Sequence, residues 1–223
     1  RIEKCSVAEG LHLESLTYSV LQGGAEHGSW LSRLREMAVH TKGNICVERR
    51  DALMTIHLDR PDAHNQIDRF MRDQLREAFE LGAMDDDIQR ISLTGAGRSF
   101  SLGADLGEFG STRDPATAHL IRLATLPAHA IAACADKLHV HVQGACVGSG
   151  LEMAAFARHI TATQKAWFQL PELAMGIIPG AGGCVSVTRR IGRAKAAQMI
   201  LSGQRISALT ALEWGLVDAL VAD

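Results

Sequence analysis

The sequence predicts an α/β fold of repeated strand and helix units, preceded by a helical hairpin. Three observations carry this. Short β-rich runs alternate with amphipathic stretches from Ile45 onward, two helical-period stretches separated by Gly23 and Gly24 come first, and glycine-rich segments recur where strands give way to helices. With 223 residues, 47% of them hydrophobic, and a formal net charge of -2, the chain fits one domain with a sizeable core.

Residues 7–22 place Leu13, Leu16, Val20 and Leu21 on one helical face, and residues 27–38 do the same with Trp30, Leu31, Leu34 and Met37. The two form an antiparallel hairpin closed by Thr41, Lys42, Gly43 and Asn44. Residues 1–43 are thus an extension that packs on the core or on another subunit, and residues 44–223 are the core. Residues 45–48 and 53–58 read as a β-hairpin turning at 49–51. Residues 68–81 form an amphipathic helix with Phe70, Met71, Leu75, Ala78 and Phe79 inward. A buried strand at 90–94, a helix at 116–135, a strand at 139–142, a helix at 151–157 and a strand at 159–163 follow.

Charges of both signs are scattered, which argues against an extended nucleic-acid surface. Five cysteines at 5, 46, 134, 146 and 184 form no CxxC pair and are odd in number, so a disulfide framework and a zinc ribbon are both unsupported and a reducing compartment is expected. No apolar run reaches the roughly 18 residues of a membrane-spanning helix. The first residues, RIEKCS, do not resemble a signal peptide, and a cytoplasmic location is the default expectation. His139 and His141 share one face of a strand, but HExxH and paired cysteines are missing, and no metal is expected.

The stretch GACVGSGLEMA (144–154) carries the chemistry. Gly144, Gly148 and Gly150 let backbone approach a ligand before a helix begins at Leu151, and unpaired amides at a helix start can stabilise an oxyanion. Taken alone, the same glycines also suit tight strand-to-helix packing, with Glu152 well placed in a first turn. Glycine is absent at 153, no Gly-Lys-Ser/Thr occurs, and Val147 and Leu151 stand where a nucleophile elbow on Ser149 needs glycine. Two further stretches, FSLGADL (100–106) and LPELAMGIIPGAGG (170–183), echo it.

With DRPDAHNQID (59–68), TGAGRSFSLGADLGEF (94–109) and the run from VQGACVGSGLEMA to LSGQRISALTALEWGLVDAL, the chain resembles the enoyl-CoA hydratase/isomerase, or crotonase, superfamily over residues 45–220. The resemblance implies a right-handed spiral of β-β-α turns, which periodicity alone does not separate from a doubly wound sheet. It also implies an acyl-CoA thioester substrate whose oxygen is received by the amides of Ala104 and Ser149; the family usually has glycine at the latter position. Glu152 and Glu172 match the family's catalytic pair, Glu172 as main proton donor to C2 and Glu152 as holder and activator of the water. Ala63 and Leu102 match backbone positions near the adenine and Gly180 one near the reacting carbons, while Gly103, Asp105 and Gly148 complete the substrate-binding loops. Arg60, Arg98 and Arg122 are candidates for the phosphates.

The resemblance makes coenzyme A part of the substrate, with no other cofactor, and implies a homotrimer or hexamer. Related reactions remain open: double-bond isomerisation, hydrolysis, decarboxylation and dehalogenation. So does a non-catalytic acyl-CoA-binding or assembly protein. The chain departs from the family at Cys184, Val185 and Ser186, in KLHVHVQG, and at both ends. The helices that follow the family's core either lie beyond this sequence, which is the expectation, or are replaced by the hairpin.

Overall fold

The computed structural model describes residues 5–34 and 40–222. It begins with α1 (Val7–Gln22), opened by a capping box in which Ser6 and Glu9 satisfy each other's backbone N–H. After Gly23 and Gly24 comes α2 (Ala25–Arg33). Helix α1 turns the opposite way from the apolar pattern. It buries Gly10, Leu11, Glu14, Ser15 and Ser19, whereas Leu13, Leu16 and Val20 are 40%, 42% and 76% exposed. The polar side chains face inward because acceptors and donors await them there. Helix α2 is shorter than predicted, and Met37 lies outside the described residues.

β1 (Ile45–Arg50) and β2 (Leu53–Leu58) pair antiparallel through a turn at Asp51, whose φ is 52°. α3 (Arg69–Met84) starts where the Asp68 carboxylate accepts the Met71 N–H, and it buries Met71, Leu75, Ala78 and Phe79. Phe70, predicted inward, is instead 40% exposed, with the Lys42 ammonium 3.6 Å from its ring centre. After β3 (Arg90–Gly95), the single helix predicted at 116–135 is two, α4 (Pro115–Thr125) and α5 (Ala128–Ala133). Pro127 drives Leu126 to ψ 135°, out of the helical region.

The rest comprises β4 (Leu138–Val142), β5 (Ala145–Val147), α6 (Ser149–Ala154), β6 (His159–Thr163), β7 (Trp167–Gln169), α7 (Gly183–Ile191), α8 (Arg193–Ser202), β8 (Ile206–Ser207), α9 (Ala208–Trp214) and β9 (Ala219–Val221). The larger sheet has the order β1-β2-β3-β4-β6-β9 and is parallel apart from β1 against β2. A second sheet has the order β5-β7-β8, and Ser101 bridges Cys146 of β5 in parallel. Each turn of the spiral therefore lays one strand in the large sheet and then a short one in the second. β3 leads to Ser101, β4 to β5, and β6 to β7. Ile56, Leu75, Phe79, Leu93, Phe100 and Phe168, all fully buried, fill the core between sheets and helices.

Candidate active site

The spiral sets three loops side by side, each leaving the same end of the second sheet: 102–105 after Ser101, 148–149 after β5, and 170–172 after β7. Their residues line one cavity of about 270 Å³, among them Leu102, Gly103, Ala104, Asp105, Gly148, Ser149, Glu152, Glu172 and Gly180. Of the three phosphate candidates Arg122 lines the cavity and Arg60 and Arg98 do not, and of the other predicted site residues all but one are brought together here. Ala63 is the exception. It is buried in the 3-10 turn Pro61–Ala63 and is not among the lining residues.

The first loop is held from below. The Asn65 side-chain amide donates to the carbonyls of Ala96, Ser99 and Phe100, and Ser101 Oγ donates to the Asn65 carbonyl while accepting the Gly103 N–H. Gly103 adopts φ 87°, and a Cβ there would lie 2.9 Å from the Val147 carbonyl and 3.3 Å from the Ser149 nitrogen. Only glycine lets the two loops touch. Ser149 is the first residue of α6, two residues earlier than predicted, and Gly148 precedes it at φ 49° and ψ -128°. Among the described residues, neither the Ala104 N–H nor the Ser149 N–H has a protein acceptor. Two free amides on abutting loops can receive a developing negative charge.

Glu152 and Glu172 are 2% and 8% exposed. Glu152 Oε2 accepts the N–H groups of Ala181 (2.7 Å) and Gly183 (2.8 Å). Ser186 Oγ, donating to the Glu152 carbonyl at 2.7 Å, ties α7 to α6. Burial pushes the Glu152 carboxyl up to about 7, and the two amides restrain the rise. Glu172 lies in the 3-10 turn Glu172–Met175. Its Oε2 is buried without a partner, as is Ser149 Oγ. Burial and then the neighbouring Glu152 charge hold Glu172 well above the ordinary carboxylate range. Glu172 is thus harder to ionise than an exposed glutamate, beside a Glu152 that can lose its proton near neutrality.

The sequence reading missed the contribution of α1 and α2. Tyr18, Gln22 and His27 line the cavity. Tyr18 is stacked under the Arg122 guanidinium, whose carbon is 4.3 Å from the ring centre. Glu14, 2% exposed, accepts the N–H groups of Gly182 (2.6 Å) and Cys184 (2.8 Å). Glu14, Ser15 and Ser19, spaced for one helical face, were the available signal.

Other candidates are committed elsewhere. Asp105 lines the cavity but pairs with buried Arg60 at 2.8 Å and accepts the Gly107 N–H. Arg60 also donates to the carbonyls of Thr41 and Gln66, and Arg122 donates to Ser15, Ser19 and Gln22. Arg98 is left as the exposed member of the three. His141 bonds Thr161 Oγ1 at 3.0 Å. Among the described residues no group of three or more His, Cys, Asp or Glu could hold a metal ion, and no helix is long and apolar enough to cross a membrane.

The sequence model of the family described as enoyl-CoA hydratase/isomerase matches residues 48–223. The chain is 35% identical over 173 residues to 2,3-dehydroadipyl-CoA hydratase of Escherichia coli (strain K12), an alignment covering 78% of this chain and 67% of that one. It is also 35% identical over 171 residues to the mitochondrial enoyl-CoA hydratase of Pongo abelii, covering 74% and 56%. Against the crystal structure of enoyl-CoA hydratase from Thermoplasma volcanium GSS1 the TM-score is 0.71 at 36% identity, covering 80% and 72%. Helices α1 and α2 precede the matched segment.

Proposed function

Since the chain belongs to the enoyl-CoA hydratase/isomerase family, we propose that it adds water across the double bond of a 2-enoyl-CoA thioester. One observation carries the reading: two buried glutamates and two unpaired amides line the same small cavity. The amides of Ala104 and Ser149 receive the thioester oxygen as it gains charge, each such donor contributing about 3 kcal/mol in the transition state. Glu152, able to ionise near neutrality, takes a proton from the water that attacks C3. Glu172, protonated and with Oε2 free, delivers a proton to C2. Released product leaves Glu152 protonated and Glu172 ionised, and proton exchange with solvent resets the pair.

Coenzyme A enters as part of the substrate, and this chemistry calls for no separate cofactor. The exposed stripe of Leu13, Leu16 and Val20 supports a homo-oligomer, as in the trimer or hexamer the family resemblance implies. Five free cysteines support a cytoplasmic setting.

The test is a screen of trans-2-enoyl-CoA thioesters of graded chain length with product identification. The expected product is the 3-hydroxyacyl-CoA. A shifted double bond without added water would replace the reading with isomerisation. Binding without turnover, unaltered by Glu152→Gln and Glu172→Gln, would make the protein a non-catalytic acyl-CoA binder.

A further inference from the structure

Four consecutive amides where the cavity wall runs into the start of α7 go alternately to two carboxyl groups. Ala181 and Gly183 donate to Glu152 from one side, while Gly182 and Cys184 donate to Glu14 from the other. Glu14 belongs to α1, outside the segment that matches the family. The turn is tight as well. Gly182 sits at φ 108°, and a Cβ on Gly183 would lie 2.6 Å from Cγ of Glu152. Anything that displaces the turn displaces the catalytic carboxylate it holds.

We propose that Glu14 is a positioning residue for Glu152, fixing the far side of the 181–184 turn and thereby the place and charge of the carboxylate on its near side. The inference rests on Glu152 acting in the proposed hydration. Two carboxyls bound to alternate amides of one turn are coupled, the Glu152 charge opposing ionisation of Glu14, so their titrations belong to the pair. Burial, followed by the Glu152 charge, raises Glu14 well above the usual range.

Other ionisable groups also face Glu14. Cys184 meets it from the turn, Tyr18 lies one turn further along α1, and Arg122 approaches from α4. Glu172 reaches the same cluster from its 3-10 turn. The remaining ones on the packed elements look elsewhere. His119 bonds Ser15, His27 of α2 bonds the Met175 carbonyl, Arg189 and Arg190 of α7 bond the Cys5 and Ala157 carbonyls, and His129 of α5, like Glu26 and Arg33 of α2, is exposed.

Glu14→Gln keeps the size and removes the charge. On a 2-enoyl-CoA the expected result is a fall in kcat of about 10- to 100-fold with KM changed less than about threefold. The acid limb of kcat should also move to higher pH, since a loosened turn gives up the Ala181 and Gly183 amides that restrain the rise of Glu152. A folded variant with wild-type kcat and an unmoved limb overturns the proposal, as does a loss of activity that only tracks loss of folded protein. If Glu14→Gln does not fold, the wild-type protein decides by amide ¹H–¹⁵N shifts followed against pH. The proposal expects residues 181–184 to share the same titration steps. Separate midpoints for 182 and 184 against 181 and 183 overturn it. Failure of the wild type to hydrate any thioester defeats the hydratase reading and leaves the amide titration to judge Glu14.

Discussion

A Cβ placed on Gly180 would lie 2.6 Å from Cε2 of Tyr18, so the turn that lines the cavity and the ring that α1 inserts into it fit only because residue 180 has no side chain. Arg122 stacks on the ring and keeps it from swinging away. Gly180→Ala is expected to lower kcat/KM by about 10- to 100-fold through displaced geometry. Tyr18→Ala in the same chain should recover part of the loss. Steady-state kinetics of the four proteins make a double-mutant cycle, and strictly additive effects would show that the contact is not responsible.

Glu152 also makes stability depend on pH. Its folded value, about 7, exceeds the ordinary 4.5, so the folded state holds the proton more tightly than the unfolded one. The contribution is complete below the unfolded value and is lost as pH rises through the folded one, an effect on the order of a few kcal/mol. Glu14 and Glu172 shift in the same direction. Melting temperature should fall as pH is raised from about 5 to about 8, and Glu152→Gln should flatten that slope.

Glu172→Gln removes the proton donor while keeping its shape. The expected loss is about 10²- to 10⁴-fold in kcat with a small change in KM. Because Oε2 is buried without a protein partner, the variant should melt no lower than the wild type at alkaline pH. Calorimetry alongside kinetics checks both.

Substitutions at neighbouring positions 148 and 149 should differ sharply. Ser149→Ala leaves the amide in place and removes a buried hydroxyl that has no partner, so kcat should change less than about threefold. Gly148→Ala puts a Cβ on a backbone with φ 49° and ψ -128°, 2.9 Å from Glu172 Oε1. It should cost about 100-fold or more, because both an amide and a carboxyl are moved.

The glutamate pair and the two amide-bearing loops were picked out by the family resemblance, since each motif alone suits ordinary strand-to-helix packing equally well. The break at Leu126 is legible in Pro127, although the helical period runs on through it. The span of α1 was legible, but the face it buries was not. Apolar periodicity assumes that a helix docks on an apolar surface, whereas this one docks through Glu14 on backbone amides and through Ser15 and Ser19 on Arg122. Those partners lie more than a hundred residues away, and the polar face of Glu14, Ser15 and Ser19 is their local sign. Phe70 illustrates the same limit at smaller scale: it flanks the buried stripe of α3 and is covered by Lys42 instead of the core.

The bond from Glu14 to Gly182 spans 168 residues, and that from Arg189 to Cys5 spans 184. During synthesis helix α1 can meet Arg122 first, but it cannot complete its docking until residues 182–184 have been made. Closing so long a loop is a late event, and it favours a protein that finishes its core before it acquires its full catalytic pocket.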